Sequence, residues 1–320
     1  MNVRSRISTA AVAGAAVLGL ATLAACSPSA SGRSDDGKLK VTASFYPLQF
    51  LAEQIGGSHV EVSNLTKPGV EPHDLTLTAK QTAQLSESGA IVYLKGLQPA
   101  VDGSVKQSGV QHIANAAELT RTEVHGTEVD GHHHTTGDNS SHSDAEPGQD
   151  PHVWLDPVKF AEVAKGVNKT FAEADPKNKA AYQKNTDVLM EKLDKLNTDF
   201  KDGLKNRTSD TFVTTHAAFG YLAERYGLVQ EAISGLDPES EPSANRIKEL
   251  HTLAQSHHVS TVFFETLANP ATAKTLAGDL HLKTDVLDPL EGITDKSRGK
   301  DYFSVQRANL AALQKALGAK

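Results

Sequence analysis

The order of apolar and polar residues alternates between two periods along the chain. From Lys40 the stretch KVTASFYPLQFLAEQIGG first alternates like a strand and then spaces its apolar residues as in a helix, before a Gly-Gly stop. VEVSNLT and GAIVYLKG are again typical of strands, and EPHDLTLTAKQTAQLSES between them predicts a loop that leads into a helix. Strands that alternate with helices predict a parallel sheet covered on both faces.

A long helical pattern fills residues 175–207. Its apolar residues recur at helical spacing among many charged ones, and Asp175-Pro176 is a good helix start. At about 1.5 Å per residue the helix would be on the order of 45 Å long, which exceeds the width of a small domain. Strand and helix patterns then resume, as in DTFVTTH and VSTVFFE. We therefore expect an α/β protein of two lobes with parallel sheets, residues 40–174 and 208–320, joined by one long rigid helix.

The first residues are not expected to belong to the fold. Residues 1–25 place two arginines before a short apolar run that ends in small residues, which is typical of a secretory signal. Cys26 is the only cysteine, and its position after Leu-Ala-Ala resembles a bacterial lipobox. We expect a lipid anchor at Cys26, a flexible tether over residues 26–39, and a location on the outer face of the cell membrane. An ordinary signal with an incidental cysteine is the alternative.

The charge of the chain limits its partners. The formal net charge is −7, and loss of a leader that holds two arginines and no acid makes the remaining chain still more acidic. An acidic protein binds nucleic acid poorly and attracts cations mildly. We therefore expect no nucleic-acid partner.

A histidine-rich stretch interrupts the pattern at about residues 123–150. Glycine and small polar residues dominate it, which predicts a disordered surface loop. We expect this loop to collect metal at low affinity, and a tolerated insertion that binds metal incidentally is the alternative. Its histidines are His125, His132, His133, His134 and His142.

Three other histidines lie at the ends of expected elements. His73 follows Pro72 in a loop before a helix, His152 lies in DPHVWLDP, and His216 ends the strand TFVTT. Asp288 in TDVLDPL is a fourth candidate, because the carboxyl ends of strands in α/β sheets are where ligands bind. Three imidazoles and one carboxylate at about 2.0–2.2 Å suit a tetrahedral Zn²⁺ ion. Each histidine taken alone could equally be a loop or capping residue.

Three acidic residues are candidates to support these ligands. Asp156 lies close to His152 in sequence, and a carboxylate can hold a ligating imidazole in its correct tautomer. Glu71 and Glu265 lie near strand ends, where they could support or replace a ligand. A helix cap or a solvated acid is the alternative for Glu71 and Glu265.

The motifs together resemble a known family. SFYPLQFLAEQIGG, KPGVEPHDLTLT, DPHVWLDP, THAAFGYLAERYGL, ESEPSANRIKEL and VFFETLANPATAKTLAGDL occur in the order found in the solute-binding proteins of bacterial zinc and manganese ABC importers, which include ZnuA. The resemblance extends from about residue 40 to the C-terminus. It implies two α/β lobes joined by one long helix, with the metal buried in the cleft between them.

The same resemblance implies the ligands and the metal. The family's ligand positions fall on His73 and His152 in the first lobe, and on His216 and Asp288 in the second. Members selective for manganese are expected to have glutamate at the third position and no histidine-rich insertion, so this chain is expected to bind zinc. Many zinc members have a disulfide in the second lobe, which a chain with one cysteine cannot form.

The function expected from this resemblance is transport rather than catalysis. We expect capture of Zn²⁺ and its delivery to an ABC permease and its ATPase by a monomer, with loading by a metallochaperone left open. A manganese binder and a surface adhesin of the same fold are alternatives. A secreted zinc hydrolase is a weaker one, because the chain has no His-Glu-x-x-His motif and a closed shell of four protein ligands leaves no position for a reactive water.

Overall fold

The structure is a computed structural model that describes residues 32–130 and 149–320. The leader, Cys26 and the tether up to residue 31 lie outside the described residues, as does the histidine tract at 131–148. Residues 32–39 of the expected flexible tether are described, and Arg33 pairs there with Asp175 at 2.9 Å. The predictions made for Cys26, His132, His133, His134 and His142 therefore remain predictions. Among the described residues, no helix is long and apolar enough to cross a membrane.

The residues before the histidine tract form a parallel sheet with helices against it. In chain order they form β1 (Leu39–Ala43), α1 (Tyr46–Gly56), β2 (Val60–Asn64), α2 (Ala79–Ser86), β3 (Ala90–Tyr93), α3 (Pro99–Gln107), β4 (Ile113–Asn115), α4 (Ala116–Leu119) and β5 (Glu128–Asp130). The sheet has the order β2-β1-β3-β4, and all its pairs are parallel. Every residue of β3 is buried, as expected for a central strand covered on both faces.

The residues after the tract form the long helix and a second sheet. In chain order they form α5 (Pro157–Ala174), α6 (Lys179–Gly203), β6 (Thr211–Thr214), α7 (Gly220–Tyr226), β7 (Val229–Ala232), α8 (Ala244–Ser256), β8 (Thr261–Phe264), α9 (Ala271–Asp279), β9 (Lys283–Val286) and α10 (Tyr302–Leu317). The second sheet has the order β5-β7-β6-β8-β9. Its pairs are parallel except β5 with β7. The expected α/β fold with two mainly parallel sheets is confirmed.

The long joining helix is α6, which a short 3-10 turn at Pro176–Asn178 precedes. Its 25 residues make it on the order of 37 Å long. Val188 belongs to the apolar pattern in sequence but is 45% exposed, because it lies off the buried face. That face packs against α1 and α5 before it and α10 after it. Its buried residues are Tyr182, Thr186, Leu189, Leu193, Leu196 and Phe200.

One hydrophobic core continues from the first half of the chain into the second. The ring of Phe50 in α1 stacks on that of Tyr302 in α10, with centroids 5.4 Å apart. The Tyr302 hydroxyl donates to the carbonyl of Trp154 at 2.7 Å, and the Trp154 indole N–H donates to the carbonyl of Pro289 at 2.7 Å. These buried contacts oppose a wide separation of the two sheets.

The segment expected to be a disordered loop is partly ordered. Val124 pairs with Gln149 across its base, and β5 adds an antiparallel edge strand to the second sheet. A strand of three residues with Val129 as its one buried apolar side chain is too short to give a period in sequence. The disorder expected at about 123–150 is thus corrected for residues 123–130.

Candidate metal centre

Four side chains from separate parts of the chain meet at one point. His73 lies in the irregular segment between β2 and α2, and His152 lies in the short segment before α5. His216 closely follows β6, and Glu291 lies in the loop after β9. His152, His216 and Glu291 are buried, whereas the His73 side chain is 11% exposed. His73 is therefore the ligand candidate nearest to solvent.

The donor atoms of these residues are spaced for one small ion. Oε1 of Glu291 lies 3.1 Å from Nε2 of His73 and 3.3 Å from Nε2 of His152. Nε2 of His216 lies 3.5 Å from the same oxygen and 3.3 Å from Nε2 of His152. Zn²⁺ bonds of about 2.0–2.2 Å in a tetrahedron separate the ligand atoms by roughly 3.3–3.5 Å. The four side chains fit a tetrahedral zinc ion with little movement.

Two buried carboxylates hold the ring nitrogens that face away from this point. Nδ1 of His152 lies 2.7 Å from Oδ1 of Asp150, and Nδ1 of His216 lies 2.6 Å from Oε1 of Glu265. A carboxylate that accepts the Nδ1–H leaves the Nε2 lone pair for a metal. Both imidazoles are thereby held in the tautomer that metal binding requires.

Protons and metal compete for the same imidazoles. Burial alone would lower the pKa of His216, but the carboxylates of Glu265 and Glu291 raise that pKa well above its usual range. Burial would also lower the pKa of His152, but Asp150 and Glu291 raise it above its usual value. Burial would raise the pKa of Glu291, but hydrogen bonds from the surrounding imidazoles hold it well below its usual range. Zn²⁺ must therefore displace protons when it binds.

Glu71 lies beside the four donors without joining them. Its Oε1 accepts the backbone N–H of His73 at 3.2 Å. Burial, followed by the nearby charge of Glu291, raises the pKa of Glu71 to about 9, so this carboxyl group is neutral at neutral pH. The structure places Glu71 as a support for the His73 backbone, and places Glu265 against His216.

The fourth donor differs from the expected one. Glu291 joins the three histidines, and Asp288 does not. Oδ1 of Asp288 accepts the backbone N–H of Leu290 at 2.8 Å, and its Oδ2 accepts the Thr266 hydroxyl at 3.1 Å. The prediction of Asp288 is corrected to Glu291, because the Asp288 carboxylate is used to close the turn that leads to Glu291.

Asp156 and His125 also lie in places that differ from those expected from the sequence. Asp156 does not contact His152, because its carboxylate caps α5 at the Val158 N–H and pairs with Arg225 at 2.7 Å. Asp150 takes the role expected of Asp156. His125, expected to lie in the disordered collecting loop, is instead buried, with Nδ1 2.6 Å from Oδ2 of Asp150.

A local sequence signal existed for Asp150 but not for Glu291. An aspartate directly before Pro-His can accept the N–H two residues on, as Oδ1 of Asp150 does from His152 at 2.9 Å. Glu291 follows the same strand end as Asp288, and its longer side chain reaches further. No local signal distinguishes which of the two carboxylates turns inward.

The sequence matches a known protein family over most of its length. The family profile described as "ZnuA: Zinc-uptake complex component A periplasmic" matches residues 41–316, which is most of the chain. The chain belongs to this family. As a family member it falls among solute-binding transport proteins rather than enzymes, in agreement with the expectation from sequence.

Individual relatives of this ZnuA-family chain support the assignment. The high-affinity zinc uptake system protein ZnuA of Bacillus subtilis (strain 168) is 34% identical over 92% of this chain and 93% of its own length. The zinc-binding lipoprotein AdcA of Streptococcus pneumoniae (strain ATCC BAA-255 / R6) is 34% identical over 91% of this chain, which spans only 58% of AdcA. The crystal structure of Zn(II)-bound AdcA has a TM-score of 0.71 to this chain at 32% identity, covering 89% of this chain and 59% of AdcA.

An adhesin has the same fold. The laminin-binding protein Lmb of Streptococcus agalactiae, described as bifunctional with adhesin and metal-transporting activity, has a TM-score of 0.74 at 29% identity. The structural match extends over 99% of Lmb and 87% of this chain. The fold of this ZnuA-family chain is therefore shared by proteins with more than one described role.

Proposed function

We propose that this protein captures Zn²⁺ outside the cytoplasm and delivers it to an ABC permease and its ATPase for import. The observation that supports this most strongly is the closed group of His73, His152, His216 and Glu291. Three imidazole nitrogens and one carboxylate oxygen satisfy a four-coordinate ion entirely with protein atoms. Such a site holds an ion without exposing it to a reactive water, as a carrier requires.

The donor set favours zinc over manganese. Imidazole suits Zn²⁺, whereas Mn²⁺ prefers oxygen ligands, and affinities for nitrogen-rich sites rise from Mn²⁺ to Zn²⁺. His216 is fully buried and held by Glu265, so the third nitrogen is a fixed part of the site. We expect zinc to displace manganese from this protein, and not the reverse.

The remaining parts of the proposal concern residues outside the described ranges. Cys26 would carry the lipid anchor and the tether would let the binding unit reach the permease. His132, His133, His134 and His142 would collect zinc at low affinity near the site. Because a histidine-rich segment with no apolar residues does not fix a ligand geometry, its affinity is expected to stay below that of the main site.

Zinc titration of three proteins tests the capture step. The unaltered protein should bind one zinc ion tightly in the presence of excess manganese, and deletion of residues 131–148 should leave that tight site in place. His216→Ala should weaken it by at least about a hundredfold, because it removes one of four ligands. His251→Ala, a histidine on α8, is the control. Loss of tight binding on deletion of the tract alone would contradict the assignment of the main site.

Growth under zinc starvation tests delivery. A strain that lacks this gene should grow poorly with a zinc chelator, and the unaltered gene should restore growth while His216→Ala should not. Equal rescue by both genes would argue against delivery from this site.

An adhesin role is a second candidate, favoured by the likeness to the laminin-binding protein of Streptococcus agalactiae. Measuring laminin binding by the unaltered and His216→Ala proteins distinguishes the adhesin role from the transport role. Saturable laminin binding by both proteins would support an adhesin surface that is independent of the metal site.

A further inference from the structure

His125 lies outside the four ligands but belongs to the same hydrogen-bond chain. Its Nδ1 lies 2.6 Å from Oδ2 of Asp150, and the other oxygen of that carboxylate lies 2.7 Å from Nδ1 of His152. One carboxylate thus bridges two imidazoles, one of which is a metal ligand. Asp150 is fully buried, and the His125 side chain is nearly so.

The fold leaves a fitted space for His125. A Cβ atom added to Gly220, at the start of α7, would lie 2.4 Å from Nδ1 of His125 and 3.0 Å from Oδ2 of Asp150. The Tyr221 ring packs beside the imidazole at 4.7 Å between centroids, and its hydroxyl donates to the carbonyl of Asp150 at 2.8 Å. The backbone N–H of Asp150 donates to the carbonyl of Glu123 at 2.9 Å. His125 and Asp150 are therefore held against each other by α7 and by the paired chain ends 123–125 and 149–150.

The charges around His125 favour the same arrangement. Its Nε2 lies 3.2 Å from Oε1 of Glu224. Burial would lower the pKa of His125, but the hydrogen bond to Asp150 and the nearby carboxylate of Glu224 raise it to about 9, so the ring carries a positive charge at neutral pH. The imidazole at Oδ2 holds the buried carboxylate in place, with Oδ1 left to accept the Nδ1–H of His152. Removal of His125 would leave Oδ2 as a buried acceptor without its charged partner, which is costly enough to favour rotation of the carboxylate.

We propose that His125 is a positioning residue for the metal centre: it fixes Asp150, which in turn fixes the ring of His152 so that Nε2 points to the ion. This inference rests on the proposed binding of zinc at His73, His152, His216 and Glu291. Partners that orient metal ligands typically contribute about 10- to 100-fold to metal affinity. Because His125 is one hydrogen bond further from the ion than Asp150, we expect its effect on zinc affinity to be at the low end of that range.

Two substitutions of His125 separate its two nitrogens. His125→Asn places an amide N–H near the position of Nδ1, and His125→Gln places one near the position of Nε2. Zinc affinity should stay within about threefold in the asparagine variant and fall roughly tenfold in the glutamine variant. The Nδ1–H proton of His152 in the zinc-loaded protein should remain visible by NMR in the first variant and exchange faster in the second. His251→Gln, on α8, is the matched control.

Gly220→Ala disturbs the contact between His125 and Asp150 without altering either residue, because its Cβ would lie 2.4 Å from Nδ1 of His125 and 3.0 Å from Oδ2 of Asp150. It should weaken zinc binding by a similar factor. Gly278→Ala in α9 is its control, because a Cβ there would meet nothing within 4 Å.

The outcomes are distinct. Unchanged zinc affinity in both His125→Gln and Gly220→Ala overturns the positioning role. An equal loss of zinc affinity in His125→Asn and His125→Gln, with an equal loss of thermal stability, also overturns it, because that result indicates general packing. If the unaltered protein binds no zinc tightly, the proposed function itself fails. Normal binding by the unaltered protein with insensitive variants contradicts only the role of His125.

Discussion

Glu291→Gln tests which carboxylate completes the metal site. The change keeps the size of the side chain but removes the negative charge that lies 3.1–3.5 Å from three imidazole nitrogens. Zinc sites with four protein ligands bind with about 10–16 kcal/mol, or about 2.5–4 kcal/mol per ligand. Glutamine retains a neutral oxygen, so the expected loss is about 2–3 kcal/mol, on the order of 30- to 150-fold in affinity.

Asp288→Asn is the matched control, three residues earlier in the same loop. The Asp288 oxygens accept hydrogen bonds from Leu290 and Thr266, and one or both weaken when the charge is lost. We expect zinc affinity within about threefold of the unaltered protein and a stability loss of about 1 kcal/mol. The two variants should thus show opposite profiles, one in affinity and the other in stability.

Competition with a chromophoric zinc chelator measures affinity, and thermal unfolding of the zinc-free proteins measures stability. Glu291→Gln that binds zinc within threefold of the unaltered protein would refute the assignment of Glu291. A large affinity loss in Asp288→Asn with unchanged stability would restore Asp288 as the ligand. Either result would show that the loop after β9 adopts another conformation when metal is bound.

Three further predictions follow from the protons at the metal site and from the shared core. Since the pKa values of His152 and His216 are raised in the zinc-free fold, their stabilising effect is complete below their unfolded value near 6.5 and is lost as pH rises through the folded pKa. Unfolding temperatures measured upward from about pH 6.5 should therefore diverge, with the zinc-free protein losing stability and the zinc-loaded protein retaining it. Parallel curves would contradict this competition. Tyr302→Phe removes the hydroxyl that donates to Trp154, and should cost about 1–2 kcal/mol of unfolding free energy with zinc affinity unchanged. In small-angle scattering the unaltered protein should compact only slightly on zinc addition, and a large compaction would refute the role assigned to the shared core.

Much of the fold was predictable because its signals are local. The helical period of α6 and the strand patterns of β1, β3, β6 and β8 each fall within a few consecutive residues. The three histidines were also identifiable, because each lies beside a proline or at the end of a strand. Neither β5 nor its antiparallel pairing could be predicted, because its stability comes from distant β7 rather than from its own three residues.

The fourth ligand was not predictable because the backbone between Asp288 and Glu291 is unusual. Leu290 has a φ of 60°, in the left-handed region that a bulky side chain rarely adopts. Such a conformation costs about 1–3 kcal/mol and persists only where the surroundings impose it. Here Leu290 is buried, and its N–H is held by Asp288. Reversal of the chain at Leu290 turns Glu291 toward the histidines, and no residue preference in the sequence indicates that reversal.

Release of zinc is the harder step for a site built in this way. His152 and His216 are buried and held by Asp150 and Glu265, so moving either ring breaks a charged hydrogen bond as well as a metal bond. His73 lies instead in a long irregular segment and is the most exposed of the four ligands. Its backbone N–H donates to the carboxyl group of Glu71 at 3.2 Å. We therefore expect release of the ion to begin with withdrawal of His73, while the other three ligands keep their positions.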